Sequence, residues 1–142
     1  MTVTDLIQNY KRTEVETASP SQLLLMLYDG AIARLHSAGE SMRLGQFEPA
    51  HFDLLKVQDI LTELVLALDW EADNPLVAQL YSLYEYMHGA LVKANVRRDV
   101  ASIDEVAGLL SSLREGWEEA ARATSEEDGS AGVPSNRLDL CG

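Results

Sequence analysis

Thr17-Ala18-Ser19-Pro20-Ser21-Gln22, followed by Leu23-Leu24-Leu25-Met26-Leu27-Tyr28-Asp29-Gly30-Ala31-Ile32, decides how this chain folds. Ser19 suits an N-cap, because its hydroxyl can accept from a first-turn amide that has no helical partner. Pro20 suits the first helical position, where its missing N–H costs nothing, and Gln22 completes an S-x-x-Q capping box. Beyond the box, Leu24, Leu27, Ala31, Leu35, Ala38 and Met42 recur at three- and four-residue steps. That is the period of one buried helix face, and it predicts a helix over 20–44 ending at Gly45.

The same signals recur along the chain. Pro49 opens a second expected helix, 48–69, carrying Phe52, Leu55, Ile60, Leu61, Leu64, Val65 and Leu68. Asn74-Pro75 repeats the cap-then-proline start and predicts a third helix, 75–98, closed by the basic pair Arg97-Arg98, which complements a helix C-terminus. Ser102 to Glu105 reads as another capping box, opening a fourth helix to 124 with Val106, Leu109, Leu110, Leu113, Trp117 and Ala121 on one face. Connections of about three to six residues make successive helices antiparallel neighbours. The expected fold is all-α: an antiparallel up-down four-helix bundle over 19–124, a loose N-terminal arm over 1–18, and a disordered acidic tail over 125–142, where the apolar period stops.

Composition agrees. A chain of 142 residues suits a single domain, and nine Gly and four Pro are few. The formal charge of −12 disfavours nucleic acid, whose binding relies on a Lys/Arg footprint, and disfavours anionic membranes likewise. The single cysteine, Cys141, can form no internal disulfide. No leader-like start or run of about 18 apolar residues is evident, so a cytoplasmic protein without membrane insertion is expected.

Two Glu-x-x-His pairs, Glu48/His51 and Glu85/His88, raise a ferritin-like di-metal centre. Such a centre also needs an inward carboxylate from each remaining helix, and helix one offers only Asp29 and Glu40. Glu85 falls about 160° around its helix from Leu83 and Met87, away from the apolar stripe. Cys141 has no local base, no G-x-S-x-G elbow or phosphate loop occurs, and the three His residues have no triad spacing. The expectation is no catalytic residue, no metal and no cofactor.

Helix three is unusual. Leu76, Leu80, Leu83, Met87, Ala90/Leu91 and Ala94 fill a bundle-facing stripe, yet Val77, Tyr81, Tyr84, His88 and Val92 form a second, partly aromatic band beside it. In a four-helix bundle no helix is central, so a second band points to a groove for another helix. The competing readings are ordinary boundary tyrosines, or a contact between copies of the chain.

The Thr17-Ala18-Ser19-Pro20 box leading to Leu27-Tyr28-Asp29-Gly30-Ala31-Ile32, then Tyr84-Glu85-Tyr86-Met87, then Ala94-Asn95 resembles, in order and wording, the flagellar secretion chaperones of the FliS family. The resemblance implies a cytosolic helical bundle that binds the C-terminal segment of flagellin, prevents its premature polymerisation and hands it to the flagellar type III export apparatus. Taken with the second band, it implies a binding groove of Leu61, Leu64, Val65, Leu68, Tyr81, Tyr84, His88 and Val92. It further implies an N-terminal arm, here Leu6, Ile7 and Tyr10, that covers part of the surface when no client is bound. The client-free protein is expected to be a monomer or weak homodimer. One departure is that the family's basic pair after Y-x-Y-M is replaced here by His88-Gly89-Ala90.

Overall fold

The protein's structure is a computed structural model that describes residues 19–128 of the 142. The expected arm with Leu6, Ile7 and Tyr10, and residues 129–142, lie outside the described residues. The described residues form four α-helices and no strand: α1 Pro20–Arg43, α2 Phe47–Leu66, α3 Pro75–Arg97 and α4 Val100–Asp128. Each packs against its chain neighbour, and α4 returns to pack on α1, closing the ring of the antiparallel bundle.

Local chemistry sets most boundaries. The Ser19 hydroxyl accepts from the Gln22 amide at 3.1 Å while the Gln22 side chain accepts from the Ser19 amide at 2.8 Å, which is the expected capping box. Asn74 caps α3 by accepting from the Leu76 amide at 2.9 Å. At the opposite end of α3, Arg98 takes the left-handed conformation (φ 56°), a place where glycine is usual. Its guanidinium lies 3.8 Å from the centre of the Phe47 ring, so the α3–α4 turn is pinned to the start of α2.

Several boundaries differ from the sequence reading, and α2 ends at Leu66 where 69 was expected. α2 starts at Phe47, ahead of Pro49, and its N-cap Gln46 makes no side-chain cap bond. α4 starts at Val100, and its cap is Asp99, whose carboxylate accepts from the Ala101 amide at 3.1 Å and from the Ser102 hydroxyl at 2.9 Å. The expected Ser102–Glu105 box does not form, because a carboxylate three residues earlier takes the amides first. Glu105 instead accepts from the Tyr86 hydroxyl at 3.0 Å, tying α3 to α4; this bond raises the Tyr86 pKa above its ordinary value of 10.0. Finally, α4 continues to Asp128 rather than ending at 124, through a run rich in the strong helix formers Ala and Glu.

The core is a continuous apolar interior contributed by all four helices, including Leu24, Leu35, Leu54, Leu61, Leu64, Met87, Leu91, Ile103 and Leu110. Two tyrosines sit at its centre. Tyr28 of α1 and Tyr84 of α3 are buried with their hydroxyls 2.7 Å apart, and the Trp117 indole N–H donates to the Tyr28 hydroxyl at 3.0 Å. Gly39 is buried at the α1–α4 seam, where an added Cβ would make an ordinary contact with Ile103 Cγ2 at 3.9 Å. The rim of the seam carries Arg43–Asp104 at 2.8 Å and an Arg114–Asp29 ion pair that holds the Arg114 pKa above its ordinary value. These exposed pairs contribute about 0–1 kcal/mol each, so apolar burial dominates.

Asp99→Ala should destabilise the bundle by about 1 kcal/mol, the usual cost of a lost N-cap, while Ser102→Ala should cost clearly less. Urea unfolding followed by circular dichroism measures both, and the reverse order would restore the Ser102 box.

Candidate functional site

α3 turns a different face inward than its sequence suggests. Val77, Leu80, Tyr84, Met87, Leu91 and Ala94 are buried, whereas Leu76, Leu83 and Ala90, expected in the core stripe, are half-buried. Val77 and Tyr84 therefore belong to the core and not to an outer band. The reason is the Tyr28–Tyr84 contact: a hydroxyl that finds a buried partner loses the penalty that would keep it at the boundary, and the ring then contributes its full apolar area. The same substitution occurs on α1, where Tyr28 occupies the core and Leu27 packs at its margin.

What stays outside is an apolar band shared by α2 and α3. On α2, Phe52, Leu55, Thr62 and Leu66 fall on one solvent-facing stripe; Phe52 is 60% exposed and Leu66 72%. Phe52 and Leu55, expected among the apolar positions of helix two, thus lie outside the core. On α3, Tyr81, Val92 and Val96 are exposed and His88 is half-buried along a neighbouring stripe. Between the two helices lies a small pocket of about 70 Å³, lined by Leu61, Thr62, Val65, Tyr84, Glu85 and His88.

The eight expected groove residues therefore divide. Leu61, Val65, Tyr84 and His88 meet at the pocket; Tyr81 and Val92 flank it on the surface; Leu64 and Leu68 are buried in the core. The sequence reading did not include Phe52, Leu55, Thr62, Leu66 and Trp70 in the groove. Counting positions 52, 55, 62 and 66 around the helix would have separated this stripe from the core set, and Trp70 lies in the connection 67–74, beyond any helical period.

The two Glu-x-x-His pairs do not converge. His51 is hydrogen-bonded through Nδ1 to the Asn95 side chain at 2.7 Å, near the end of α3, while Glu85 and His88 face Thr62. Positions 51 and 62 of α2 are about 16 Å apart along the axis, too far for one di-metal centre. Among the described residues no group of three or more His, Cys, Asp or Glu side chains is placed to hold a metal ion. No helix among them is long and apolar enough to cross a membrane.

A closed helical bundle whose distinctive surface is an apolar band along two adjacent helices belongs to the class of proteins that bind other polypeptides by packing. The known proteins it resembles narrow that class. The family described as "Flagellar protein FliS" matches residues 3–124. The chain is 31% identical over 125 residues to the flagellar secretion chaperone FliS of Bacillus subtilis, covering 87% of this chain and 92% of that one. It is 35% identical over 127 residues to the FliS of Salmonella typhimurium, covering 86% and 94%. A solved "flagellar chaperone from bacteria" shares the fold, with a TM-score of 0.70 over 84% of this chain and 98% of that one at 22% identity. The chain belongs to the FliS family of flagellar secretion chaperones.

Tyr84→Phe deletes one hydroxyl of the central pair and Tyr28→Phe deletes the atom that both Tyr84 and Trp117 bond. At about 1 kcal/mol per hydrogen bond, Tyr28→Phe, which also removes the acceptor of the Trp117 indole, should destabilise more than Tyr84→Phe, and it alone should directly alter the Trp117 near-ultraviolet circular dichroism. Equal losses and unchanged spectra would remove the network's structural role.

Proposed function

We propose that this protein is a cytosolic export chaperone that binds the C-terminal segment of flagellin, keeps it from polymerising and delivers it to the flagellar type III export apparatus. The observation that carries the reading is the α2/α3 band, in which Leu55, Leu66, Tyr81 and Val92 stand exposed around the pocket lined by Leu61, Val65, Tyr84 and His88. An amphipathic helix can lay its apolar face there, seating one small side chain in a pocket of this size. Family membership supports the client and the export route. The client-free protein is a monomer or weak homodimer in this reading, and sedimentation with and without flagellin separates client binding from self-association through the same band.

Leu64 and Leu68 support the surface from below and do not themselves offer area to a client, so the informative substitutions are at exposed positions. Val92→Asp or Leu55→Asp should weaken flagellin binding more than tenfold, since residues at the centre of an interface carry about 2 kcal/mol or more. Calorimetric titration reads the loss and circular dichroism verifies that the variant stays helical. A helical variant with undiminished affinity would move the site off α2 and α3.

The arm belongs to the same reading. Leu6, Ile7 and Tyr10 are apolar residues in a polar stretch, suited to occupy the band when flagellin is absent, and such a competitor lowers apparent affinity by the fraction of chaperone held closed. Deleting residues 1–10 should speed flagellin association in stopped-flow mixing if the arm is a lid, and should raise the off-rate if the arm wraps the bound client. A deletion that changes neither rate would remove the arm from the mechanism.

A further inference from the structure

Trp70, in the connection between α2 and α3, pairs with Tyr81 on the second turn of α3, and among the described residues the pair stays exposed. Trp70 is 56% and Tyr81 37% exposed, with ring centres 5.1 Å apart in an edge-on arrangement. Leu66, on the last turn of α2, adds a third exposed apolar side chain, and Asp69, Glu71 and Asp73 bracket Trp70 with negative charge. An exposed tryptophan paired with a tyrosine is a strong local attractor for apolar side chains, and its acidic frame selects a partner that also brings positive charge.

The chain supplies a segment with two leucines and an arginine close together. α3 begins beside this connection and α4 runs antiparallel to α3, so α4 finishes at the same end of the bundle. From Asp128 a further segment, 129–142, continues with the sequence Gly129-Ser130-Ala131-Gly132-Val133-Pro134-Ser135-Asn136-Arg137-Leu138-Asp139-Leu140-Cys141-Gly142. The ten residues from Asp128 to Leu138 can reach about 33 Å at most, enough to cross one end of a four-helix bundle. Leu138 and Leu140 alternate with Arg137 and Asp139, so an extended segment would present both leucines on one side and the two charged residues, which offset each other, on the other.

We propose that residues 137–141 of the chain's own C-terminal segment dock on the Trp70–Tyr81 pair, with Leu138 and Leu140 against the rings and Arg137 toward Asp69, Glu71 and Asp73. Tethering places the segment at an effective concentration near the millimolar range, so a contact too weak to hold between separate molecules is occupied within one. The contact stands without the client reading and is measured on the isolated protein. If Tyr81 also serves the client, the docked segment competes there.

The test compares the full chain with one ending at Asp128, following acrylamide quenching of Trp70 and the Trp70 indole N–H resonance. Docking predicts Trp70 quenching at least about twofold greater in the shortened chain, as for a contact half-occupied or more. Leu138→Ser with Leu140→Ser in the full chain should reproduce the effect. A synthetic 129–142 peptide added to the shortened chain at millimolar concentration should reverse it. Identical quenching and resonance position in both chains would overturn the proposal. So would protection of Trp70 that rises with protein concentration, which would assign the patch to a second copy, or protection lost only on deleting residues 1–18, which would assign it to the N-terminal arm.

Discussion

The contact on which the rest of the bundle depends is the hydroxyl pair of Tyr28 and Tyr84. Helices α1 and α3 are not neighbours in the ring, so a bond between them must pass through the centre of the interior. General apolar burial would tolerate several rotations and axial shifts of one helix against another, since methyl and methylene contacts are non-directional. A 2.7 Å hydrogen bond tolerates almost none. With the Trp117 indole donating to the same oxygen, three of the four helices are referred to one point, and the rotation of α3 about its own axis follows. That rotation decides which side chains α3 turns outward, and so fixes Tyr81, His88 and Val92 on the face shared with α2.

The fold was legible in the sequence wherever local chemistry and periodicity agreed. Ser19 with Gln22 and Asn74 with Pro75 start helices where their side chains say they should, and the bundle follows from short connections. What was not legible depended on competition between near neighbours or on partners distant in the chain. Asp99 outcompetes Ser102 as a cap because either could serve and only the turn geometry chooses. Tyr28 and Tyr84 displace the more hydrophobic Leu27 and Leu83 from the core because each supplies a partner for the other across 56 positions of sequence, a relation no single-helix pattern contains. The candidate face was read in part for the same reason. Its α3 half was visible as a second apolar band, whereas the outward position of Phe52 and Leu55 depended on which side of α2 the rest of the bundle occupied.

Ion pairs that join helices gather on one side of the bundle. The ion pairs from Arg34 to Asp53, Arg43 to Asp104 and Arg114 to Asp29 all lie along the two seams of α1. The α2/α3 band is rich in leucine, valine and aromatic side chains, with two carboxylates, Glu85 at the pocket and Asp59 on the outward stripe of α2. A net charge of −12 keeps such a surface soluble by mutual repulsion between copies of the protein.

The closing of the ring by α4 on α1 also bears on how the chain comes into being. The other extensive seams join helices adjacent in sequence, and each can form as soon as its second member is made. The α1–α4 seam joins the first helix to the last. At synthesis rates of about 5–20 residues per second, the stretch from Arg43 to Asp128 takes on the order of ten seconds to emerge. Throughout that interval the side of α1 that α4 will cover, at Gly39 and around the Tyr28 hydroxyl that Trp117 bonds, faces water. The nascent protein thus passes through a stage in which it carries an uncovered helix face of its own, and only the arrival of its last helix ends it.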